Sequence, residues 1–329
     1  MSPKVSVIII NWNGSRFLRT CINSILESDY ENTEIIVIDN ASEDDSVEII
    51  KSYTDKVKLE ENENIGYAAG ANKGISMTNG EYVLIANPDV VFTKSYIRKL
   101  VEFAEKNENC ASLTGKLLKY DFENNTKLDI IDSTGIRLDH SRHGYDIGHN
   151  QPDNGQHETS RRVFATCGAA SMYRRNALNA IKQGNDFFDS DFFAYKEDID
   201  LGWRLNLCGL ENWYVADAIA YHGRTMNSGD GIMSTIKNKK DKNLQNGLSL
   251  RNHYLMLMKN ESRYTLCRDF HRILLNLLKY ILFYLFTSPR TLKSLLDAAS
   301  MRRKFRNKSK DTFSHKTIDN KAAYKLFDL

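Results

Sequence analysis

Along the first third of the chain, short β-branched runs alternate with segments whose apolar positions recur every three or four residues. "KVSVIIINW" shows no polar alternation, so it predicts a strand buried on both faces. The next segment, "GSRFLRTCINSILES", puts Phe17, Leu18, Cys21, Ile22 and Ile25 at helical spacing. "EIIVIDN" predicts a second buried strand, and Ser42 with Asp45 three residues on predicts a capping box opening the helix "EDDSVEIIKSY". A short strand and loop, "KLEENEN", leads to the small-residue helix "GYAAGANKGISM" and then to the strand "EYVLIA". Continuous apolar strands alternating with amphipathic helices predict an α/β protein with a mostly parallel central sheet flanked by helices.

Between residues 110 and 165 the pattern weakens into polar, Gly- and His-rich sequence, which predicts strands and a mobile loop. A second ordered block runs from "VFATCGAASMYRRNAL" to "YVADAIAYH", followed by the flexible-looking "GRTMNSGDG". The remaining stretch carries two helical patterns, "RILLNLLKYILFYLF" (272–286) and "TLKSLLDAASMRRKFRNK" (291–308).

In open α/β sheets, ligands bind beyond the carboxyl ends of the strands. Asn11 to Gly14, Asp39 to Ala41 and Asn87 to Asp89 all follow such ends, so the three should share one crevice. Pro88 fixes φ and withholds a donor, ending its strand and holding Asp89 in a sharp bend. A carboxylate there suits a divalent cation, which pairs with one or two carboxylates and substrate phosphates; Asn-Pro-Asp is also simply a good turn. Asp39 suits the N–H of a base or a ribose hydroxyl. Gly66, Gly70 and Gly74 form one helical stripe, letting backbone approach either a ligand or the sheet. In "FFDSDFFAYKEDIDLGWRLNLCG", Glu197 and Asp198 fall near a helix start, where acidic residues are favoured anyway. One of them is the candidate general base, with Phe192, Phe193, Tyr195 and Trp203 supplying an apolar setting. Asp200 and Arg204 read as an i,i+4 surface pair. His222 ends a strand beside Arg224, as a metal ligand near a diphosphate would.

These pieces, in this order, resemble family 2 glycosyltransferases of the GT-A (nucleotide-diphospho-sugar transferase) fold. The "NWNG" and "NPDV" forms are most similar to the rhamnosyltransferase-like branch. The resemblance spans roughly residues 4–225 and implies an inverting transfer from a nucleoside-diphosphate sugar, dTDP- or UDP-linked. It makes Asp198, with Glu197 beside it, the catalytic base. It makes Asp89 the metal-binding aspartate, assisted by His222, for Mg²⁺ or Mn²⁺. The family's DxD appears as Asn87-Pro88-Asp89, without its first carboxylate. Asn11, Asn13, Asp39, Asn64, Gly66, Asn72, Asn87 and Arg224 are the expected nucleotide-sugar contacts. Cys167, Gly168, Ala169, Arg174 and Trp203 are expected on the acceptor side. The domains implied are a GT-A unit over 1–225, with a nucleotide-sugar-binding half (1–110) and an acceptor and catalytic half (111–225). A basic amphipathic helical region follows over 226–329.

Composition and charge refine this picture in two places. The five cysteines form no CxxC pair, which argues against a zinc site or disulfide framework and fits a reducing, cytoplasmic compartment. "VSVIII" follows Met1 too closely to be a secretory signal. The net charge of +3 hides an asymmetry, because from Arg251 onward 17 Lys and Arg face 6 Asp and Glu. A basic, apolar C-terminal region predicts a helix lying on the inner face of the cell membrane, with Arg272, Asn276 and Lys279 as its polar stripe. A buried packing helix or a homodimer interface are the rivals. Membrane contact would make a polyprenyl-diphosphate-linked glycan the natural acceptor. A nucleotidyltransferase acting on sugar phosphates lacks its phosphate loop here. A non-catalytic membrane-surface module leaves the aspartates unexplained, and nucleic-acid binding has no aromatic support.

Overall fold

The computed structural model describes residues 2–53, 55–224 and 232–329, with side chains from 243 onward in the last segment. The "TMNSGDG" part of the flexible-loop expectation lies outside the described residues. Among the described residues there are twelve strands: β1 (Val5–Asn11), β2 (Thr33–Asn40), β3 (Lys58–Asn62), β4 (Tyr82–Ala86), β5 (Val90–Phe92), β6 (Cys110–Asp121), β7 (Thr126–Ser133), β8 (Ile136–Leu138), β9 (Gly144–Asp146), β10 (Arg161–Val163), β11 (Ala170–Arg174) and β12 (Glu211–His222). Eleven α-helices accompany them: α1 (Ser15–Leu26), α2 (Ser46–Lys51), α3 (Gly66–Ser76), α4 (Tyr96–Lys106), α5 (Arg175–Ala180), α6 (Glu197–Leu207), α7 (Ile232–Asn260), α8 (Arg263–Thr287), α9 (Lys293–Ser300), α10 (Arg302–Ser314) and α11 (Asn320–Lys325).

The main sheet runs β10-β12-β6-β11-β4-β1-β2-β3, with β5 on β12 and β7 on β6. β3, β2, β1 and β4 are mutually parallel, and β11 enters antiparallel between β4 and β6. Every residue of β1 is buried, as its unbroken apolar run requires. Helices cover both faces: Leu18, Ile22, Leu100 and Val101 pack with one core, Ala68, Ala71, Ile75 and Leu201 with the other. The glycine stripe on α3 serves the sheet, because a Cβ on Gly74 would lie 2.3 Å from Ile8 Cγ2.

One local expectation changes. Ser42 caps no helix: α2 starts at Ser46, and the Ser42 hydroxyl instead donates to Asp39. The strands expected in 110–165 are present as the long β6, β7 and the β8–β9 hairpin.

The expected break near residue 225 does not coincide with a break in packing. Trp203, Phe164 and Ile199 share a core with Leu255 and Met256 of α7, Phe305 of α10 and Phe327. Beneath it lies a buried ion cluster. Lys259 Nζ donates to Asp189 at 2.7 Å and Asp200 at 2.8 Å, Asn260 donates to Asp200 at 2.8 Å, and Arg204 Nε donates to Asp200 at 3.0 Å. Asp200 and Arg204 therefore pair in the interior, where breaking a pair costs far more than on a helix surface. Burial alone would raise the Asp189 carboxyl, but Lys259 and Lys308 outweigh it and hold it well below the usual range.

Lys259→Ala removes the cation that bridges Asp189 and Asp200 but leaves the first to Lys308 and the second to Arg204 and Asn260, and should cost about 1.5–3 kcal/mol in chemical denaturation. Asp189 contributes stability above the unfolded-state pKa of about 4, and that contribution is lost as pH falls further; thermal unfolding followed from pH 7 to pH 2 should show the loss, and Asp189→Asn should flatten it.

Candidate active site

Parallel register brings the first pair of strand ends together. Asn11 and Asp39 are the last partners in the β1–β2 ladder, and Asn11 Nδ2 donates to Asp39 Oδ1 at 2.7 Å. Ser42 closes the corner, donating to Asp39 from its hydroxyl at 2.7 Å and its backbone N–H at 2.9 Å. Asn13 extends it: its N–H donates to Ser42 Oγ, and its Oδ1 accepts from the Glu43 N–H, both at 2.8 Å. Gly14 seats this corner against the next strand end, since a Cβ there would touch Asn11 Oδ1 and Pro88.

Asp89 follows Pro88, where the chain leaves β4 to pair with β12. His222 is opposite Val90 in that ladder, and the Gly223 N–H donates to the Asp89 carbonyl at 2.9 Å. His222 Nε2 thereby lies 3.3 Å from Asp89 Oδ1, while its Nδ1 donates to Asp132 Oδ2 at 2.8 Å. Burial would lower the imidazole, but Asp89 and Asp132 on either side push it up to about 10. Burial would likewise raise both carboxyls, yet His222 holds each below its ordinary value. Arg224 continues the row, with Nε 3.0 Å from Asp132 Oδ1 and a further ion pair to Asp146.

The second carboxylate pair opens α6. Asp198 is half-buried. Its Oδ2 accepts the Gly168 N–H at 3.1 Å, and its Oδ1 accepts the Ile199 N–H at 2.8 Å. Glu197 is buried, and its Oε2 has no hydrogen-bond partner among the described residues. Burial, then the Asp198 charge, pushes Glu197 up to about 8. Asp198 is also raised, by burial first and by Asp146 besides. Buried carboxyls raised by burial and by neighbouring carboxylates cluster at acid–base sites.

The segment 167–169 joins the two pairs. Ala169 accepts the Asn87 N–H at 2.9 Å, Gly168 donates to Asp198, and the Gly168 carbonyl accepts from Tyr67 Oη at 2.6 Å. Cys167, Gly168 and Ala169 therefore link the Asn87–Asp89 turn to the start of α6.

Just before α6 the backbone is strained: Phe193, Tyr195 and Lys196 adopt φ of 64°, 72° and 72°. Such residues cost of order 1–3 kcal/mol each and need outside support. Support comes from α7, where buried Asn252 Nδ2 lies 2.8 Å from the carbonyls of Phe192, Ala194 and Tyr195. On the other side, the Phe193 carbonyl accepts the Ala68 N–H at 3.1 Å. The Phe193 ring and carbonyl also crowd Gly66, whose φ of +82° and lack of a Cβ are both required.

Several expected contacts lie elsewhere or do other work. Arg174 pairs with Tyr82 at the far end of β4 from Ala86. There it donates to the Cys110 carbonyl at 2.8 Å and lies over the Tyr82 ring, so it braces the base of the sheet, not the acceptor side. Trp203 is a core residue, edge-on to Phe164 and Phe327. Asn72 has its capacity taken by the Phe187 and Phe188 N–H groups, the Phe188 carbonyl and Ser190, so it staples the 187–190 segment and leaves nothing for a nucleotide. Asn64 is exposed and caps the start of α3 through the Gly66 N–H at 3.2 Å. Phe192 and Trp203 belong to the C-terminal core, while Phe193 and Tyr195 are exposed, so the aromatic shell expected round the base does not form.

Asp132, Asp146, Tyr67 and Asn252 were not anticipated. Asp132 had a signal, because "DIID" ends β7 as "IVID" ends β2.

Comparisons with known proteins bear on the family and the fold. Residues 6–182 match the model for glycosyl transferase family 2. Glycosyltransferase GlyG of Streptococcus pneumoniae is 34% identical over 112 residues, which are 33% of this chain and 37% of that protein. Putative glycosyltransferase EpsE of Bacillus subtilis is 35% identical over 124 residues, 36% of this chain and 45% of that one. The matched stretch thus spans less than half of either relative. Among solved structures, S. aureus TarS with UDP-GlcNAc superposes with a TM-score of 0.56 at 17% identity, covering 94% of this chain and 89% of that one. The mannosyltransferase PcManGT from Pyrobaculum calidifontis, with GDP-Man and Mn²⁺, gives 0.54 at 15% identity, covering 99% and 87%. With a family model matching more than half of its length on a GT-A fold, the chain belongs to glycosyl transferase family 2.

Proposed function

We propose that the chain is an inverting glycosyltransferase, moving a sugar from a nucleoside diphosphate to a hydroxyl of a glycan acceptor, with Asp198 as general base. One observation carries this: Asp198, its carboxyl raised, is held by Gly168 N–H on the segment whose next residue anchors Asn87, two positions before Asp89. In the transfer, the acceptor oxygen forms its bond to the anomeric carbon from the face opposite the diphosphate. The bond from that carbon to the phosphate oxygen breaks, and its electron pair leaves with the nucleoside diphosphate. The acceptor proton passes to Asp198. Asp39, Asn11 and Asn13 receive the base and ribose at the β1–β2 corner, and Arg224 faces the diphosphate.

The residues present fit a divalent cation. Asp89 and His222 are oxygen and nitrogen donors 3.3 Å apart, and Asp132 behind His222 is the outer carboxylate that orients a ligating imidazole. No group of three or more acidic, His or Cys side chains that could hold a metal is present among the described residues, so phosphate oxygens would complete the coordination. Held by Asp89 and by His222 once a cation has displaced the imidazole proton, Mg²⁺ or Mn²⁺ would supply positive charge beside the leaving diphosphate. The nucleotide sugars bound to TarS and PcManGT support this donor class. UDP- or dTDP-linked sugars, rhamnose among them, are the donors to test first, with free or polyprenyl-diphosphate-linked glycans as acceptors.

Asp198→Asn should lower kcat by about 10²–10⁴-fold while donor binding, read by calorimetry, stays near wild type; full activity in that variant overturns the assignment. Glu197→Gln should stay far closer to wild type, because its carboxyl holds a proton near neutrality. As the base must be deprotonated, kcat/KM should rise with pH along an acid limb lying above the ordinary carboxylate range, and Asp146→Asn should move that limb to lower pH. A thermal-shift series of UDP-, dTDP- and GDP-sugars, each with and without Mn²⁺, tests the donor; no stabilisation by any of them overturns the donor class.

A further inference from the structure

α8 is amphipathic the wrong way round. Its polar stripe faces the protein and its apolar stripe faces outward. On the inner side Asp269, fully buried, accepts from Arg142 Nη1 at 2.9 Å and Tyr324 Oη at 3.0 Å. Asn276 Nδ2 donates to the Ser141 carbonyl at 3.1 Å, and Tyr280 Oη lies 2.8 Å from His143 Nδ1. On the outer side Leu275, Leu278, Leu282, Phe283 and Phe286 are between 44% and 83% exposed. Soluble proteins rarely leave a contiguous apolar face of this kind uncovered. Asn276 thus does not belong to the outward polar stripe expected from the sequence.

We infer that the outward face of α8 seats on an anionic lipid surface, binding the enzyme peripherally to a membrane. Two observations choose this occupant. α8 is the one described helix long and apolar enough to cross a bilayer, yet its inner stripe is fastened to the protein along three separate contacts, so lipid can meet only one side. The charges that flank the apolar stripe are also all of one sign. Asp269 is the only acidic residue of α8 and is buried, whereas Arg268, Arg272 and Lys279 are exposed. Their spacing of four and seven residues sets them in one row along the border of the apolar stripe. Basic side chains so placed reach up to headgroup phosphates while the leucines and phenylalanines enter the acyl boundary. A second copy docked on the same face about a twofold axis would bring two such rows towards each other with no carboxylate between them. This inference does not depend on the chemistry proposed for the active site.

The test is co-sedimentation of the full chain with phosphatidylcholine–phosphatidylglycerol vesicles and with phosphatidylcholine vesicles alone. Wild-type protein should pellet with the mixed vesicles and far less with the neutral ones. Two double variants, Leu278→Glu with Leu282→Glu and Arg272→Glu with Lys279→Glu, should each weaken binding by about an order of magnitude or more. All four positions are at or near the surface, and far-UV circular dichroism checks that the variants fold. Wild-type protein that stays in the supernatant, or binding that survives both double variants, overturns the inference. A dimer in light scattering that the leucine variant dissociates, without vesicle binding, also overturns it and assigns the face to a second copy.

Discussion

Asp89 and Asp198 are more than a hundred residues apart in the chain, and what holds them at one crevice is the short segment 167–169. Ala169 takes the N–H of Asn87 and Gly168 gives its own N–H to Asp198. The segment can do this because it leads into β11, which runs antiparallel beside β4, so the end of one strand is the start of the other. A parallel strand in that place would begin at the wrong end of the sheet. The insertion of one antiparallel strand into a parallel sheet is therefore what assembles the site.

Within that crevice the carboxylates divide into two populations. Asp89 and Asp132 flank a buried imidazole and are held ionised. Asp146 pairs with Arg224 and its charge also raises Asp198. Glu197 and Asp198, at the start of α6, lie where burial and neighbouring carboxylates raise both carboxyls. One population suits a cation and a diphosphate, the other the removal of a proton. The separation arises from environment alone, since all five are ordinary carboxyls.

The C-terminal helices take part in this arrangement. Asn252 on α7 holds the carbonyls of a loop with three left-handed residues, and Lys259 and Asn260 hold α6 from beneath through Asp200. Asp198 is thus positioned from a region whose sequence left surface attachment, a buried packing helix and a dimer interface open. The same region turns an apolar face outward on α8, so one set of helices braces the site on its inner side and offers a docking surface on its outer side.

The strand runs, the carboxyl-end turns and the order of motifs were legible in the sequence because they depend on local periodicity and on residues such as Pro88 that restrict their own backbone. The Asn11–Asp39 corner was readable for the same reason, as both residues end parallel strands. Local pattern carries no information about which distant partner a side chain meets. Arg174 and Trp203 therefore read as site residues until β11 carried one to the base of the sheet and the C-terminal core took the other. Asn72, with an amide able to serve any ligand, was claimed by the backbone of residues 187–190. The pairing of Asp132 with His222, the strain before α6 and the reversed polarity of α8 appeared only once the chain had packed, since charge pairing, strain relief and the choice of buried face are decided by neighbours remote in sequence.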